Sequence, residues 1–305
     1  MFIVTAGKAF NDIDAFGCAI AYAELLRLEG KDAKAVFVGP LNHSVTPLAL
    51  EQKVEYATSH ALAPEDRLVY VDLSGPDHLA FPDTESQIDE LYDHHYGFED
   101  YWEERLGERS HIERVGAAGT LIWEEFVKRG FADKISAPSA NVLLLAILQN
   151  TLNFTSSETV DRDRMAFDEL LKHSDLAPGW QERYFAESAA AMEKDFNEVL
   201  KNDTKILESY FGDQTFVFSQ LEITEDPLPF LARHCAKIDA YWKTFQNKRC
   251  LINIADIASK KSVLYSDDPS WLESTIKPLF RDAIDADGAT LIPIHQRKQI
   301  LKLMQ

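Results

Sequence analysis

The chain has 305 residues, with 31 Lys and Arg against 50 Asp and Glu, so its formal net charge at pH 7 is −19. This acidic excess argues against a protein that binds nucleic acid over a broad surface, because such affinity comes from many Lys and Arg contacts to phosphates. A narrow site for a small anion remains compatible with the charge where a metal ion or a few cations reverse the local field.

No apolar run approaches the roughly 20 residues that a membrane-spanning helix requires, and segment 1–7 lacks the pattern of a signal peptide. The three cysteines, Cys18, Cys235 and Cys250, are odd in number and have no metal-binding spacing. We therefore expect a cytoplasmic protein without a membrane segment, a disulfide framework or a structural zinc.

The first part of the chain alternates short apolar runs with amphipathic stretches, a pattern typical of a parallel sheet flanked by helices. Strands are predicted at 2–5, 35–38, 68–72 and 88–92. Helices are predicted at 15–29, 120–129, 141–148 and 162–172. These elements indicate an α/β domain.

A further helix is predicted at 180–200 and is interpreted as the domain connection, because most of its middle has small or polar side chains. Beyond it, the sequence predicts strands at 206–211, 215–220, 250–255 and 262–265, the first two joined at Gly212-Asp213, and helices at 229–236 and 270–283. The resulting division is an α/β domain at 1–187, a helical linker at 188–200 and a smaller α+β domain at 201–305. Residues 1–190 contain 16 Lys and Arg against 33 Asp and Glu, so most of the negative charge lies in the first domain.

Acidic and histidine side chains follow three of the predicted strands. Asp12 and Asp14 follow the first, Asp72 ends the third, and Asp93-His94-His95 comes at the end of the fourth. The loops beyond the carboxyl ends of parallel strands form the ligand crevice of such sheets. Carboxylates with an imidazole suit Mn²⁺ or Mg²⁺, and Asp72 could bridge two ions because it faces both neighbouring loops.

Each cluster alone has an ordinary alternative interpretation. A single Asp-x-Asp is usually a turn or a solvated surface, and an isolated His-His pair is more often structural than metal-binding. The order of the three clusters, each after an apolar strand, favours the metal site.

Three segments resemble a known family. Segment 7–23 (GKAFNDIDAFGCAIAYA) resembles the motif G-H-K-N-P-D-T-D followed by S-A-I-A-Y-A, and segment 149–156 (QNTLNFTS) resembles S-D-T-L-x-F-K-S. Together with Asp93-His94-His95, they resemble the DHH phosphoesterase superfamily, in particular the manganese-dependent family II inorganic pyrophosphatases and their exopolyphosphatase and prune-type relatives. Segments 218–222, 255–257 and 295–300 resemble landmarks of that family's second domain, so the resemblance covers nearly the whole chain.

The resemblance implies specific roles for the clustered side chains. One divalent ion, Mn²⁺ first and Mg²⁺ as the alternative, would be held by Asp12 and Asp72, and another by Asp14, Asp72 and His94. His95 would approach the substrate phosphate, and Asp93 would orient a histidine.

The same resemblance implies phosphate contacts from the second domain. Lys205 aligns with a phosphate-binding lysine, and Gln296, Arg297 and Lys298 align with part of the cationic motif S-R-K-K-Q. The implied activity is hydrolysis of a phosphoanhydride or phosphoester of a small substrate in the cleft between the domains. Neither a membrane nor an extended nucleic acid is expected as a partner, and a homodimer is compatible with the resemblance.

The chain departs from the family at both metals. Lys8 replaces the histidine of the first motif, and Asn150 replaces the aspartate of S-D-T-L. In one interpretation, the Lys8 ammonium replaces the first ion beside Asp12 and Asp72, leaving one ion with Asn150 as a further ligand. In the other, Lys8 points to solvent and the first site is weak.

Two functions therefore stay open from the sequence. The chain is a metal-dependent phosphoesterase, or it is a degenerate relative that binds a phosphorylated ligand as a regulatory module. An exonuclease of the same superfamily is disfavoured, because the chain lacks that branch's Gly-Gly-His motif and offers few aromatic and basic residues to hold a strand.

The segment from Gly116 to Thr120 precedes a predicted helix and has two interpretations. Its backbone N–H groups could bind a phosphate, as helix N-termini do. Alternatively, it is a turn with Thr120 as the N-cap of the helix.

Overall fold

Two six-stranded sheets organise the chain in a computed structural model that describes residues 1–82, 84–210, 214–246, 248–286 and 288–304. The first sheet belongs to a compact unit, Met1–Ser188, and the second to another, Ala189–Gln305. In the described part of the chain, no helix has the length and apolar character needed to cross a membrane.

All strand pairs of the first sheet are parallel, in the order β3-β2-β1-β4-β5-β6. The strands are β1 (Phe2–Thr5), β2 (Ala33–Val36), β3 (Tyr56–Ala57), β4 (Arg67–Val71), β5 (Ile88–Asp93) and β6 (Ser110–Ile112). The order reverses between β1 and β4. In an open parallel sheet, the crevice for a ligand lies at the carboxyl ends of the strands at such a reversal.

Helices surround this sheet, and α1 is the most deeply buried of them. The helices are α1 (Ile13–Leu28), α2 (Pro47–Leu50), α3 (Glu99–Leu106), α4 (Ala118–Lys128), α5 (Ala137–Asn150), α6 (Asp161–Leu171) and α7 (Trp180–Lys194). Gly17 lets α1 approach α5 closely, since a Cβ there would lie 2.7 Å from the Val142 carbonyl oxygen. This packing fixes the first turn of α1 beside the end of β1.

The second unit has a mixed sheet with the order β11-β12-β10-β9-β8-β7, in which only β8 and β9 pair in parallel among the described strands. Its strands are β7 (Thr204–Tyr210), β8 (Gln214–Ile223), β9 (Arg249–Asp256), β10 (Lys261–Ser266), β11 (Ile284–Ala286) and β12 (Ala289–Pro293). Its helices are α8 (Phe196–Asn202), α9 (Pro227–Trp242), α10 (Pro269–Trp271) and α11 (Arg297–Leu303).

Apolar side chains cover both faces of this second sheet. Phe196 and Phe230 belong to the core on one face, whereas Trp271 and Ile300 belong to the core on the other. Segment 188–200 comprises the end of α7 and most of α8. Four of its apolar side chains are buried in the first of these cores: Met192, Phe196, Val199 and Leu200.

The predicted fold class is confirmed: a parallel α/β unit is followed by a smaller unit that combines helices with a mixed sheet. The sequence missed the short edge strands β3 and β6 and the helix α3, because each is too short for a clear periodic pattern. The predicted turn at Gly212-Asp213 lies outside the described residues.

The helix predicted at 270–283 is wrong in its length. Only Pro269–Trp271 is α-helical, followed by a π-helical turn at Leu272–Ile276 and a 3₁₀ turn at Lys277–Leu279. Pro278 explains the early end, because proline has no N–H to donate and its ring conflicts with the preceding helical turn.

Gly17→Ala tests the close packing of α1 on α5. Alanine normally favours a helix by about 0.5–1 kcal/mol over glycine, but here the new methyl group meets the backbone of Val142. We expect a net loss of about 1–3 kcal/mol in the free energy of unfolding, measured by urea denaturation. A more stable variant would show that the two helices do not approach this closely.

Candidate metal centre

The three acidic and histidine clusters meet at one edge of the first sheet. Asp72 directly follows β4 and Asp93 ends β5, while Asp12 and Asp14 lie at the start of α1, after β1. Because β1, β4 and β5 are neighbouring parallel strands, their carboxyl ends are adjacent. The sheet thus brings together the side chains for which the sequence predicted a metal site.

Asp72 occupies the centre of this edge in an uncommon backbone conformation. Its φ of 55° is left-handed, which costs a residue other than glycine about 1–3 kcal/mol, although Asp tolerates it better than most. Its N–H donates to the Tyr92 carbonyl at 2.8 Å. Its buried Oδ1 lies 3.4 Å from His94 Nε2 and 3.7 Å from His95 Nδ1. The turn therefore directs the carboxylate towards the end of β5.

His94 is oriented by a backbone carbonyl. Its Nδ1 lies 3.2 Å from the Val115 oxygen, which can only accept, so Nδ1 carries the proton of this hydrogen bond. The other nitrogen, Nε2, lies 3.4 Å from Asp72 Oδ1 and 3.9 Å from Asp14 Oδ2. In the neutral imidazole, Nε2 has a lone pair. The two carboxylates would repel this lone pair unless a proton or a cation lies between Nε2 and the carboxylate oxygens.

Asp14 is fully buried and receives the N-terminus of α4. The N–H groups of Ala118 and Gly119 donate to its two oxygens at 2.8 and 2.9 Å, and Cys18 Sγ donates to Oδ1 at 3.3 Å. Asp12 caps α1 instead, since its Oδ1 accepts from the N–H groups of Asp14 and Ala15 at 3.0 Å each. Both carboxylates are thus fixed by helix N-termini.

These contacts correct both interpretations of the segment from Gly116 to Thr120. Two of its N–H groups already bind the Asp14 carboxylate and are not directed at a phosphate. Thr120 is also not the N-cap, because α4 begins at Ala118 and Ala117 occupies the cap position.

Asp93 binds the backbone and side chain of its own motif. Its Oδ1 accepts from the N–H groups of His94 and His95 at 2.7 and 3.1 Å and lies 2.8 Å from His95 Nδ1. The His95 side chain is 58% exposed. Asp93 therefore orients His95, while Val115 orients His94.

The electrostatics of this edge favour a bound positive charge. Burial and the charge of Asp12 raise the pKa of Asp14 to about 7, and burial with the charges of Asp12, Asp14 and Asp93 raises the pKa of Asp72 well above its usual value. Burial also opposes ionisation of Asp93, but His95, together with His94 and Ser74, outweighs it and lowers the pKa of Asp93. Such crowded carboxylates are stabilised by protons or by a cation.

The donor atoms also suit a divalent ion. One ligand atom from each of Asp72, His94 and His95 lies within 4.8 Å of the others. Carboxylate oxygen and imidazole nitrogen are donors that Mn²⁺ accepts. The residues at this edge therefore fit a divalent metal.

The two altered motif positions differ in their surroundings. Lys8 is exposed, its N–H donates to the His78 carbonyl at 3.0 Å, and its ammonium makes no ion pair within the described residues. This geometry matches the alternative in which Lys8 points to solvent. Asn150 is the last residue of α5 and is half-buried.

In the second unit, Arg297 already has a carboxylate partner. Its Nη2 lies 2.6 Å from Asp203 Oδ1, its Nη1 donates to the Asp203 carbonyl at 2.8 Å, and its side chain is 12% exposed. Partial desolvation and the charge of Arg297 lower the pKa of Lys205. Gln296 is the N-cap of α11, and Lys298 is exposed in its first turn.

Sequence reasoning missed the supporting contacts of this centre. Val115 and Ala118 contribute backbone atoms, which leave no signal in residue type. In the second unit, Asp203 was not recognised as the partner of Arg297. The glycines of the segment 116–119 were the one available signal, since they indicate a close approach of the backbone.

No family model matches the chain. Its sequence is 25% identical over 308 residues to a protein of Lactobacillus delbrueckii subsp. bulgaricus assigned as a manganese-dependent inorganic pyrophosphatase, covering 97% of this chain and 95% of the relative. A protein of Exiguobacterium sp. with the same assignment is 25% identical over 323 residues, covering 99% of this chain and 97% of the relative. The likeness is distant but extends over the full length.

Solved structures share the fold. A protein of Methanococcus jannaschii assigned to the family II inorganic pyrophosphatases superposes with a TM-score of 0.72 at 17% identity, covering 100% of this chain and 99% of that one. An exopolyphosphatase-related protein from Bacteroides fragilis superposes with a TM-score of 0.51 at 12% identity, covering 99% of this chain and 89% of that one. At these identities, the likeness shows the fold alone.

Asp72→Asn and Asp93→Asn should change stability in opposite directions at pH 6 without added metal. Because the pKa of Asp72 is raised, its ionised form opposes folding, so the amide should raise the free energy of unfolding. Because the pKa of Asp93 is lowered, its charge supports folding, and the amide should lower that free energy. Calorimetry with EDTA measures both. Equal destabilisation by both variants would contradict the electrostatics described.

Proposed function

The chain belongs to the DHH superfamily, with full-length distant similarity to manganese-dependent family II inorganic pyrophosphatases, and on that premise we propose that it is a metal-dependent phosphoesterase. Its substrate would be a small phosphoanhydride or phosphoester. The observation that carries this proposal is the convergence of Asp72, His94 and His95 at one sheet edge.

We assign the metal to the residues at that edge. Asp12 and Asp72 would hold one ion, and Asp14, Asp72 and His94 would hold another, with Asn150 as a further oxygen donor for the second. When bound, a divalent ion supplies positive charge that offsets the carboxylates and the phosphate and acts as a Lewis acid. Buried ligands held by helix N-termini and by Val115 keep their geometry before the substrate arrives, which limits reorganisation during the reaction.

His95 is the side chain proposed to contact the reacting phosphate. It is exposed, and its Nδ1 is bound to the Asp93 carboxylate, which stabilises the charged imidazolium. In that form, the Nε2 proton can be donated to a phosphate oxygen, including that of a leaving group. Asp93 holds the ring in the required orientation.

Four further side chains, all in the second unit, are proposed to bind phosphate: Lys205, Gln296, Arg297 and Lys298. Arg297 is already paired with Asp203, and Gln296 offers a hydrogen bond but no charge. Pyrophosphate is compact and highly charged, so it needs several cations around it. Because Gln296 stands where the motif S-R-K-K-Q has an arginine and Arg297 is already paired, we favour a larger, less charged phosphoester as the substrate.

The second candidate function is a catalytically weak relative that binds a phosphorylated ligand. It is favoured by two altered motif positions, since Lys8 is exposed without an ion pair among the described residues and Asn150 has no charge. In this second candidate function, the carboxylates and histidines at the sheet edge still bind metal, but they bind fewer ions or bind them more weakly.

Release of phosphate tests the enzymatic proposal. With Mn²⁺, the purified protein should release phosphate from at least one of pyrophosphate, short polyphosphates, nucleotides or dinucleotides. For dinucleotides, an added phosphatase releases phosphate from the product. EDTA should abolish the release. His94→Gln should reduce the rate at least 100-fold, because it removes a ligand. His173→Gln is the matched control, since His173 packs against Trp123 away from the motif and should leave the rate unchanged. No release from any substrate would refute the enzymatic proposal.

Restoring both altered motif positions separates the two candidate functions. Lys8→His with Asn150→Asp adds an imidazole and a carboxylate at the positions where the family has them. If the chain is an enzyme, phosphate release with Mn²⁺ should increase or shift in substrate preference. If it is a degenerate relative, release should appear only in the double variant.

A further inference from the structure

Segment 115–119 holds two of the proposed metal ligands at once. It comprises the end of a loop and the first two residues of α4, and is called the loop 115–119 below. The Val115 oxygen accepts the Nδ1 proton of His94 at 3.2 Å. The N–H groups of Ala118 and Gly119 donate to the two oxygens of Asp14. His94 and Asp14 belong to different elements of the first unit, so the position of this one loop fixes their separation.

A single buried carboxylate, Asp163 of α6, anchors the loop. The Gly116 N–H lies 3.0 and 2.9 Å from its Oδ1 and Oδ2. Thr120 Oγ1 donates to Oδ1 at 2.6 Å, and the Val160 N–H donates to Oδ2 at 2.8 Å. Both oxygens are thus engaged, and two of the donors flank the segment that binds Asp14.

Hydrogen bonds, and not a basic side chain, compensate the buried charge of Asp163. Its side chain has no solvent exposure, and no basic side chain pairs with it in the described ranges. A buried carboxylate without a counter-ion is costly unless hydrogen bonds compensate. At Gly116, a Cβ would lie 2.7 Å from Asp163 Oδ2 and 2.8 Å from Thr151 Cγ2, so only glycine lets the carboxylate reach the backbone.

We propose that Asp163 is a positioning residue for the metal centre, acting through the loop 115–119 on Asp14 and His94. This inference rests on the proposed function, because it assumes that these two side chains hold the ion. Partners that orient ligands commonly change metal affinity 10–100-fold when they are removed. Asp163 lies one step further out, yet it controls two ligands together.

Asp163→Asn tests this role. The amide keeps the size but replaces an accepting oxygen with a donating NH₂, which opposes the Gly116 or Val160 N–H. We expect the Kd for Mn²⁺, from EPR titration, to rise at least tenfold. In metal-free protein, the Ala118 and Gly119 amides should exchange hydrogen at least tenfold faster by NMR.

Glu24→Gln is the matched control. Glu24 also accepts three hydrogen bonds at a helix start, from Ser136 N, Ser136 Oγ and Ser139 Oγ, but these hold the start of α5 and not the loop. It should lower thermal stability without changing the Kd for Mn²⁺ or the exchange of the two loop amides. Equal weakening of Mn²⁺ binding by both variants would overturn the positioning role.

Thr120→Val is the second variant if Asp163→Asn does not fold. It removes only the hydroxyl donor to Oδ1, so the Kd for Mn²⁺ should rise about threefold with a smaller loss of stability. An unchanged Kd together with unchanged amide exchange in the folded variants would overturn the proposal. If the unmodified protein bound no Mn²⁺, the proposed function would fail. If the unmodified protein binds Mn²⁺ but the folded variants leave both the Kd and the amide exchange unchanged, the positioning role alone would be refuted.

Discussion

The concentration of buried negative charge at the ends of β1, β4 and β5 is the constraint on which the other features of the site depend. Four carboxylates, those of Asp12, Asp14, Asp72 and Asp93, meet there because the strands are parallel neighbours. The N-termini of α1 and α4 and the imidazole of His95 offset part of this charge. Burial and the remaining charge raise the pKa of Asp72 and Asp14, which makes a divalent ion the natural partner of this edge.

The sequence was most informative where local pattern and chemistry coincide. Apolar strands followed by Asp or His predicted which side chains would meet, because parallel strands place their carboxyl ends together. It was least informative where backbone atoms distant in sequence provide the contacts. No residue type at Val115 or Ala118 indicates a partner for His94 or Asp14. The pairing of Arg297 with Asp203 depends on a contact between the end of α8 and the start of α11 that no periodicity indicates.

The same features give the overall charge a physical meaning. Most of the negative charge lies in residues 1–190. A bound cation can offset the part of it that is concentrated at the ends of β1, β4 and β5. The nearly neutral second unit contains Lys205 and Lys298, while its Arg297 is partly neutralised by Asp203. Broad binding of nucleic acid stays disfavoured, whereas a small phosphate compound bound with a metal is compatible with this distribution.

The most direct test of the metal centre is an anomalous difference map from crystals grown with Mn²⁺, recorded at the manganese absorption edge. We predict a peak within about 2.5 Å of an Asp72 carboxylate oxygen and of His94 Nε2, at a distance typical of direct coordination. A second peak near Asp12 would indicate two ions. A map with no peak at this sheet edge, or with peaks only elsewhere, would contradict the claim that the clustered carboxylates form a metal centre.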